Sequence, residues 1–210
     1  MPVVIIPLLT SLIVGLAMYL LLGAPLAAIM EGLQNWLSSM SGSSAVLLGI
    51  ILGLMMCFDL GGPVNKAAYL FATAGLSTGD ESSMQIMAAV MASGMVAPIA
   101  LSLATFIRKS LFTPAEQENG KSAWLLGLSF VSEGAIPFAA ADPFRVIPSM
   151  MAGGAVTGAI SMALSVSSRA PHGGVFVFFA IDPFWGYLVA IAAGVVAVSY
   201  THLTLPTSDL

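Results

Sequence analysis

The sequence predicts an all-α integral membrane protein with several membrane-spanning helices, some of them broken or re-entrant. Of its 210 residues, 58% are hydrophobic and only 8% are charged, whereas a soluble domain carries about 25% charged residues. The charges are also clustered, which leaves long stretches without any. A helix needs about 20 apolar residues to cross a bilayer, and each charge-free stretch is longer: residues 1–30, 32–58, 82–107, 146–168 and 183–208. A soluble globular fold is therefore excluded.

Proline and glycine are frequent in this apolar chain, with 12 and 21 residues respectively. Irregular backbone at membrane depth is tolerated only where protein or a water-filled cavity shields it. Broken or re-entrant segments are therefore expected, and they favour a transporter or channel over a simple anchor. The single cysteine, Cys57, excludes a disulfide framework and thiol pairs for a metal. Six scattered basic residues indicate no nucleic-acid surface.

The first elements can be placed from the apolar pattern. Residues 3–22 predict a membrane helix, and a start directly in apolar sequence suggests an N-terminally incomplete chain with earlier spans missing. Residues 24–43 mix apolar and polar side chains at helical spacing. That pattern favours an amphipathic helix at the membrane interface, or a connector packed on neighbouring helices. Residues 44–58 predict the next span.

Polar stretches separate the middle elements. Residues 59–66 interrupt the apolar sequence, residues 67–76 resume it, and a polar turn over residues 77–81 follows. Residues 84–107 predict a full span. The next stretch, residues 108–121, holds three of the six basic residues. It is predicted to be a cytoplasmic loop, with the acidic turn on the outer side.

The last part of the chain contains a predicted broken helix or re-entrant hairpin over residues 124–141. Asp-Pro-Phe triplets at residues 142–144 and 182–184 predict helix starts, since aspartate caps a helix and proline fits its first turn. Residues 150–168 and 184–198 predict the final spans.

The composition changes abruptly after residue 198. We therefore divide the chain into a partial transmembrane domain, residues 1–198, and a tail, residues 199–210. The tail is predicted to be non-native or disordered, so His202 is not a candidate functional residue.

Ionisable side chains at membrane depth indicate the candidate site. Each costs about 2.5 to 3.5 kcal/mol on insertion scales, so it should be paired or line a wet cavity. The candidates are Asp59, Lys66, Glu133 and His172. Glu133 is the strongest, because it lies beside the helix-breaking residues Gly134 and Pro137. Its carboxylate suits sugar hydroxyls or a proton; alternatively, an ion pair with Lys66 or Arg145 only holds helices together.

The segment Gly61-Gly62-Pro63 predicts a backbone that opens and leaves amides and carbonyls free for a ligand. Asn65 adds a donor and an acceptor, and Lys66 adds positive charge. Such a set suits a polyol or a phosphate, although Lys66 could equally reach from a membrane boundary to water. His172 is either a substrate contact or proton shuttle, or a residue of an ordinary loop.

Three ordered motifs carry a family resemblance: Cys57-Phe-Asp-Leu-Gly-Gly-Pro-Val-Asn-Lys-Ala-Ala-Tyr69, Ser132-Glu-Gly-Ala-Ile-Pro-Phe-Ala-Ala-Ala-Asp-Pro143 and Ala170-Pro-His-Gly-Gly174. Over residues 1–198 the chain resembles the fructose-family IIC membrane component of the bacterial phosphoenolpyruvate-dependent sugar phosphotransferase system. The resemblance implies a multi-pass transporter of the bacterial inner membrane, homodimeric, with the IIC fold of the glucose superfamily. It would bind sugar outside and deliver it inward for phosphorylation.

The resemblance also implies site residues. Glu133 matches a superfamily glutamate in a re-entrant segment, which implies that it is the catalytic residue that orients the reactive hydroxyl and serves as general base. The implied substrate-binding residues are Gly61, Gly62, Pro63, Asn65, Lys66, Glu133, Gly134, Ile136, Pro137 and His172. No metal site is implied.

The implied partners are the IIA and IIB phosphotransferase domains. A phosphocysteine on IIB would supply the phosphoryl group, so this chain would bind no cofactor of its own, and Cys57 is not that cysteine. Its enzymatic role would be that of membrane subunit in a protein-N(pi)-phosphohistidine–sugar phosphotransferase complex, inactive alone. Two other functions stay open: an ion-coupled secondary transporter of a small polar solute, with Glu133 binding the proton, and a non-transporting membrane subunit or sensor.

Overall fold

The computed structural model is almost entirely helical over the residues that it describes, as the sequence predicts. Those residues are 2–25, 27, 28, 32, 35, 45–77 and 79–204. Most of the predicted interfacial helix over residues 24–43 lies outside them. The α-helices are α1 Pro2–Ala17, α2 Ala45–Phe58, α3 Pro63–Leu76, α4 Glu81–Ile107, α5 Pro114–Leu128, α6 Ile136–Ala141, α7 Pro143–Ala163 and α8 Phe184–Thr204.

Short segments connect these helices. A π-helical turn, Met18–Leu22, extends α1. The 3-10 turns are Lys109–Leu111, Ser132–Ala135 and Gly174–Ala180. Strands β1, Ser167–Ser168, and β2, Ile181–Asp182, pair antiparallel between α7 and α8.

Helix α4 lies at the centre of the bundle, packed against α2, α5, α7 and α8. Its residues are small or apolar on every face, and 89% of its most apolar stretch is buried. A helix that is hydrophobic all round is expected to be surrounded by protein in this way. The central helix therefore supplies the surface on which the irregular segments rest.

Helices α2 and α7 pack antiparallel through glycines. Gly49 faces Gly158, and Gly53 faces Gly154, at spacings of four residues on each helix. A Cβ atom on any of these glycines would overlap the facing backbone. Small residues permit such close backbone contact between membrane helices, and here the contact joins α2 directly to α7.

Three helices in the described part of the chain are long and apolar enough to cross a membrane. They are α4, α7 and the part of α8 at Phe184–Thr201, whereas Ile5–Leu20 and α2 are shorter apolar helices. Their outward faces carry large exposed apolar side chains, such as Leu103, Phe106 and Val196. These bounds confirm the predicted spans near residues 84–107, 150–168 and 184–198, with shifted ends.

Two predicted boundaries are wrong. The stretch predicted as a loop over residues 108–121 is largely helical, because α5 begins at Pro114 behind a capping box between Thr113 and Glu116. Helix α8 does not stop at Val198 but continues to Thr204, and buried Ser199 donates to the carbonyl of Ala100 at 3.4 Å. Residues 205–210 of the predicted tail lie outside the described residues.

The two Asp-Pro-Phe triplets behave differently. Asp142 caps α7 as predicted, because its carboxylate accepts from the amide of Arg145 at 3.2 Å. Asp182 lies in β2 opposite Ser167, and the carbonyl of Pro183 accepts the amide of Gly186 at 3.1 Å. The prediction that Asp182 caps α8 is therefore wrong, since strand pairing holds that residue before the helix starts.

Candidate functional site

A cavity of about 360 Å³ joins the three sequence motifs. It lies between the start of α3, the break after α5 and the loop before the Gly174–Ala180 turn. The lining residues are Met56, Asn65, Lys66, Tyr69, Phe130, Val131, Ser132, Glu133 and His172. Its volume lies at the lower end of the range for small-ligand sites, about 300 to 1,000 Å³. Four residues singled out from sequence therefore line one cavity: Asn65, Lys66, Glu133 and His172.

The predicted break in the segment 124–141 is present and positions Glu133. Helix α5 ends at Leu128, and Phe130 adopts a left-handed backbone with φ of 66° before the Ser132–Ala135 turn. Such a conformation is rare outside glycine, and in ordered structures it is often found at functional sites. The change of direction presents the exposed Glu133 side chain to the cavity.

The Glu133 carboxylate accepts no hydrogen bond and forms no ion pair within the described part of the chain. The alternative that Glu133 is paired with Lys66 or Arg145 is therefore not observed. Lys66 is exposed, and it too forms no ion pair with any described residue. An acidic and a basic group thus face one cavity with their hydrogen-bonding capacity open to a ligand.

The turn that carries Glu133 is anchored on α4. The hydroxyl of buried Ser132 donates to the carbonyl of Gly94 at 2.8 Å, and the Phe130 ring covers the same glycine. The amide of Val131 donates to the carbonyl of Leu126 at 2.9 Å. These bonds hold the irregular segment in one position and satisfy its polar backbone groups, as burial requires.

Asp59 closes the turn at the start of α3. Its two carboxylate oxygens accept the amides of Val64 at 2.8 Å and Asn65 at 2.9 Å. The amide of Gly62 donates to the carbonyl of Asp59, and the amide of Lys66 donates to that of Gly62. Of the backbone amides predicted to be free, that of Gly62 is therefore occupied, and the acidic cap occupies the two amides that follow Pro63.

Gly61 lies against the catalytic candidate. Its φ is 102°, and a Cβ atom built there would lie 2.5 Å from Oε1 of Glu133. A Cβ atom on Gly62 would meet the Asp59 carboxylate, and Pro63 occupies the first turn of α3. Gly62 and Pro63 therefore shape the turn rather than the cavity lining, whereas Gly61 leaves room for the carboxylate.

The side-chain amide of Asn65 forms a hydrogen bond through its nitrogen. Its side chain is buried, and Nδ2 donates to the carbonyl of Met56 at 2.7 Å. No described residue donates to Oδ1. The amide therefore holds α3 to the end of α2 and retains one acceptor at the cavity.

His172 is positioned by the two glycines that follow it. Gly174, at φ 61°, packs on the backbone of Leu128 and Phe130, where no side chain would fit. The imidazole lies 5.0 Å from the Phe130 ring and 6.4 Å from that of Tyr69, between centroids. His172 is therefore part of a packed arrangement and not of an unconstrained loop.

Some predicted residues lie apart from the cavity, and others were missed. Gly134, Ile136 and Pro137 are not among its lining residues. Tyr69 and Phe130 do line the cavity, although neither is among the candidates predicted from the sequence. The position of Tyr69, four residues after Asn65 and thus on the same face of α3, was the available signal. Phe130 gave none, since its role depends on a backbone conformation.

Cys57 does not line the cavity. It is buried, and its Sγ donates to the carbonyl of Ser93 at 3.4 Å. This contact joins α2 to the central helix, so Cys57 has a packing role.

The family model and the relatives that match this chain agree with one another. The family model described as "Phosphotransferase system, EIIC" matches residues 2–153. The "PTS system fructose-specific EIIB'BC component" of Escherichia coli (strain K12) is 56% identical over 99% of this chain and 37% of that protein. The "PTS system fructose-specific EIIC component" of Haloferax volcanii is 52% identical, over 84% of this chain and 47% of its own length.

A third relative, the "Fructose permease IIC component" of Bacillus amyloliquefaciens, is 44% identical over 94% of this chain and 64% of its own length. The chain thus spans little more than a third of the Escherichia coli relative. No solved structure matches the chain.

Proposed function

This chain belongs to the EIIC family of the phosphotransferase system, and from that premise we propose that it is the sugar-binding membrane permease of such a system. In this proposal the cavity holds fructose or a similar sugar and passes it inward as the sugar is phosphorylated. The names of the fructose-specific relatives support this substrate class.

The observation that carries the proposal is the cavity itself. Three separate stretches of sequence contribute Asn65, Lys66, Glu133 and His172 to one space of about 360 Å³. A carboxylate, an amide oxygen and an ammonium group without internal partners are suited to the several hydroxyls of a monosaccharide.

The reaction requires little covalent chemistry from this chain. A sugar hydroxyl oxygen attacks the phosphorus of a phosphocysteine on a IIB partner; the O–P bond forms, the S–P bond breaks and the cysteine leaves as a thiolate. Glu133 orients the hydroxyl and accepts its proton, and Lys66 balances charge on the phosphoryl oxygens. Positioning and charge stabilisation are the main contributions to phosphoryl transfer.

The proposal includes partners and location. Relatives are named EIIB'BC and EIIABC components, which indicates that they join an EIIC part to IIB or IIA parts in one chain. These names support IIA and IIB as partners. The chain is a multi-pass membrane protein, and we place it in the bacterial inner membrane as a homodimer. It holds no cofactor of its own in this scheme, because the phosphoryl group arrives on IIB.

The test is uptake of labelled fructose into sealed vesicles that contain the intact protein carrying this sequence, with its phosphoryl-donor proteins and phosphoenolpyruvate inside. We expect fructose phosphate to accumulate, and accumulation to stop when the donor proteins are omitted. Unmodified fructose that accumulates without the donors and collapses with an ion gradient would contradict the proposal and indicate a secondary transporter.

A further inference from the structure

Three rings meet at one side of the cavity. The centroids of Phe130 and His172 lie 5.0 Å apart, those of Tyr69 and Phe130 6.0 Å, and those of Tyr69 and His172 6.4 Å. All three residues line the same space as Glu133. They come from α3, from the break after α5 and from the loop before Gly174, so the chain brings distant segments together to form this group.

The position of each ring is constrained. Phe130 is buried, has a left-handed backbone and rests on Gly94 of the central helix. The backbone of the His172 loop packs on that of Phe130 through Gly174. Tyr69 lies on the face of α3 that also carries Asn65. The hydroxyl of Tyr69 has no hydrogen-bond partner among the described residues, so packing rather than hydrogen bonding orients this ring.

We infer that Tyr69, Phe130 and His172 form an aromatic wall that binds the C–H face of a monosaccharide in its ring form. The inference rests on the proposed function and adds the form of the substrate. Aromatic rings carry negative charge on their faces, and the C–H groups of a cyclic sugar present a weakly positive, apolar surface. The polar groups of Asn65 and Glu133 remain available for the hydroxyls.

The aromatic wall also provides a basis for selectivity. A sugar ring presents its C–H groups together as a rigid surface, so it loses little conformational freedom on stacking. An open-chain hexitol of the same size must first be ordered, which lowers its affinity. The aromatic wall therefore favours ring-form sugars over open-chain polyols.

The experiment measures equilibrium binding of labelled fructose to the intact protein in vesicles, with a ring-locked anhydrohexitol and an open-chain hexitol as competitors. Removing the ring in Tyr69→Leu is expected to weaken binding of fructose and of the anhydrohexitol about tenfold. The hexitol should lose less than about twofold. Tyr69→Phe, which keeps the ring, should remain within about threefold of the parent.

Phe176→Leu is the matched control, because this exposed ring of the Gly174–Ala180 turn lies outside the cavity lining. It should leave all three affinities unchanged. His172→Leu, at an exposed position, provides a second test should Tyr69→Leu fail to insert; it too should weaken the ring compounds more than the hexitol.

The outcomes separate the two proposals. If the parent protein and Tyr69→Leu bind fructose equally well, the aromatic wall is wrong and the proposed function is unaffected. Equal losses for ring and open-chain competitors in Tyr69→Leu, or in His172→Leu should Tyr69→Leu fail to insert, also overturn it. A Phe176→Leu loss as large as that of the tested variant does so too. A parent that binds no sugar overturns the proposed function, and the aromatic wall with it.

Discussion

The α2–α7 contact and the irregular segments around the cavity use glycine in opposite ways. In the contact, Gly49, Gly53, Gly154 and Gly158 let two regular helices touch through their backbones. Around the cavity, Gly61 and Gly174 have left-handed backbones that regular helices do not contain. The comparison indicates that the glycine contact holds two regular helices together, whereas the irregular turns bring Glu133 and His172 to the cavity beside the groups that α3 supplies. Changes in the helix contact should therefore act on stability, whereas changes around the cavity should act on the ligand, and on stability as well where the backbone is left-handed.

The largest expected effect is on chemistry at Glu133. Glu133→Gln keeps the shape of the side chain but removes the base, so sugar phosphorylation should fall at least about 100-fold. The measurement is sugar phosphate formed in donor-loaded vesicles. The amount and melting temperature of the protein should stay at parental values, because this carboxylate makes no internal bond in the described structure. Parental activity in Glu133→Gln would remove this residue from the catalytic role.

The helix contact should respond through stability instead. In Gly158→Ala the new methyl group overlaps the backbone at Gly49, and overpacking costs about 1 to 3 kcal/mol. Thermal unfolding in detergent should show a lower melting temperature. Gly15→Ala is the matched control, because nothing lies within 4 Å of that position. An equal loss in both variants would argue against close α2–α7 packing.

Gly61 lies in the irregular region, so its replacement should affect both properties. In Gly61→Ala, φ of 102° strains the backbone at a cost of about 1 to 2 kcal/mol. The methyl group would also displace the Glu133 carboxylate, and fructose binding should weaken about tenfold. Gly79→Ala is the control, since it has φ of 72° but no neighbour within 4 Å. It should lose stability and keep its affinity; a similar loss of affinity there would show that strain alone explains the effect.

The smallest effect is expected at the cap of α3. Asp59→Ala removes the acceptor for two amides and should cost about 1 kcal/mol of unfolding free energy. Denaturant titration of the solubilised protein would measure it. Asp182→Ala should cost less, because that carboxylate caps no described helix. If the two variants lose equal stability, the capping role of Asp59 is wrong.

Much of the helical layout could be predicted from the sequence. Charge-free stretches reveal spans because charge is costly in a bilayer, and Glu133 beside Gly134 correctly indicated a break in the helix. The start of α5 could also have been predicted, since Thr113 and Glu116 have the spacing of a capping box. The prediction missed it because basic residues nearby suggested a loop.

Other features depended on tertiary structure. By sequence Asp59 is one of four ionisable candidates at membrane depth, and only its two amide contacts show that it caps α3. Helix α8 continues beyond Val198, where Ser199 packs against α4, and that contact is not visible in the sequence. Tyr69 and Phe130 resemble ordinary packing residues in an apolar chain, and their place in the cavity follows from a turn whose backbone no composition rule predicts.

The central claim is that three separate segments form one sugar site, and a structure of the intact protein with bound fructose would test it most directly. We predict a ring between Asn65, Glu133 and His172, with a hydroxyl within hydrogen-bonding distance of the carboxylate. A second cavity of about 300 Å³ lies between α3 and α4, lined in part by Phe71, Asp80 and Ile86. Sugar bound there, with the first cavity empty, would contradict the claim.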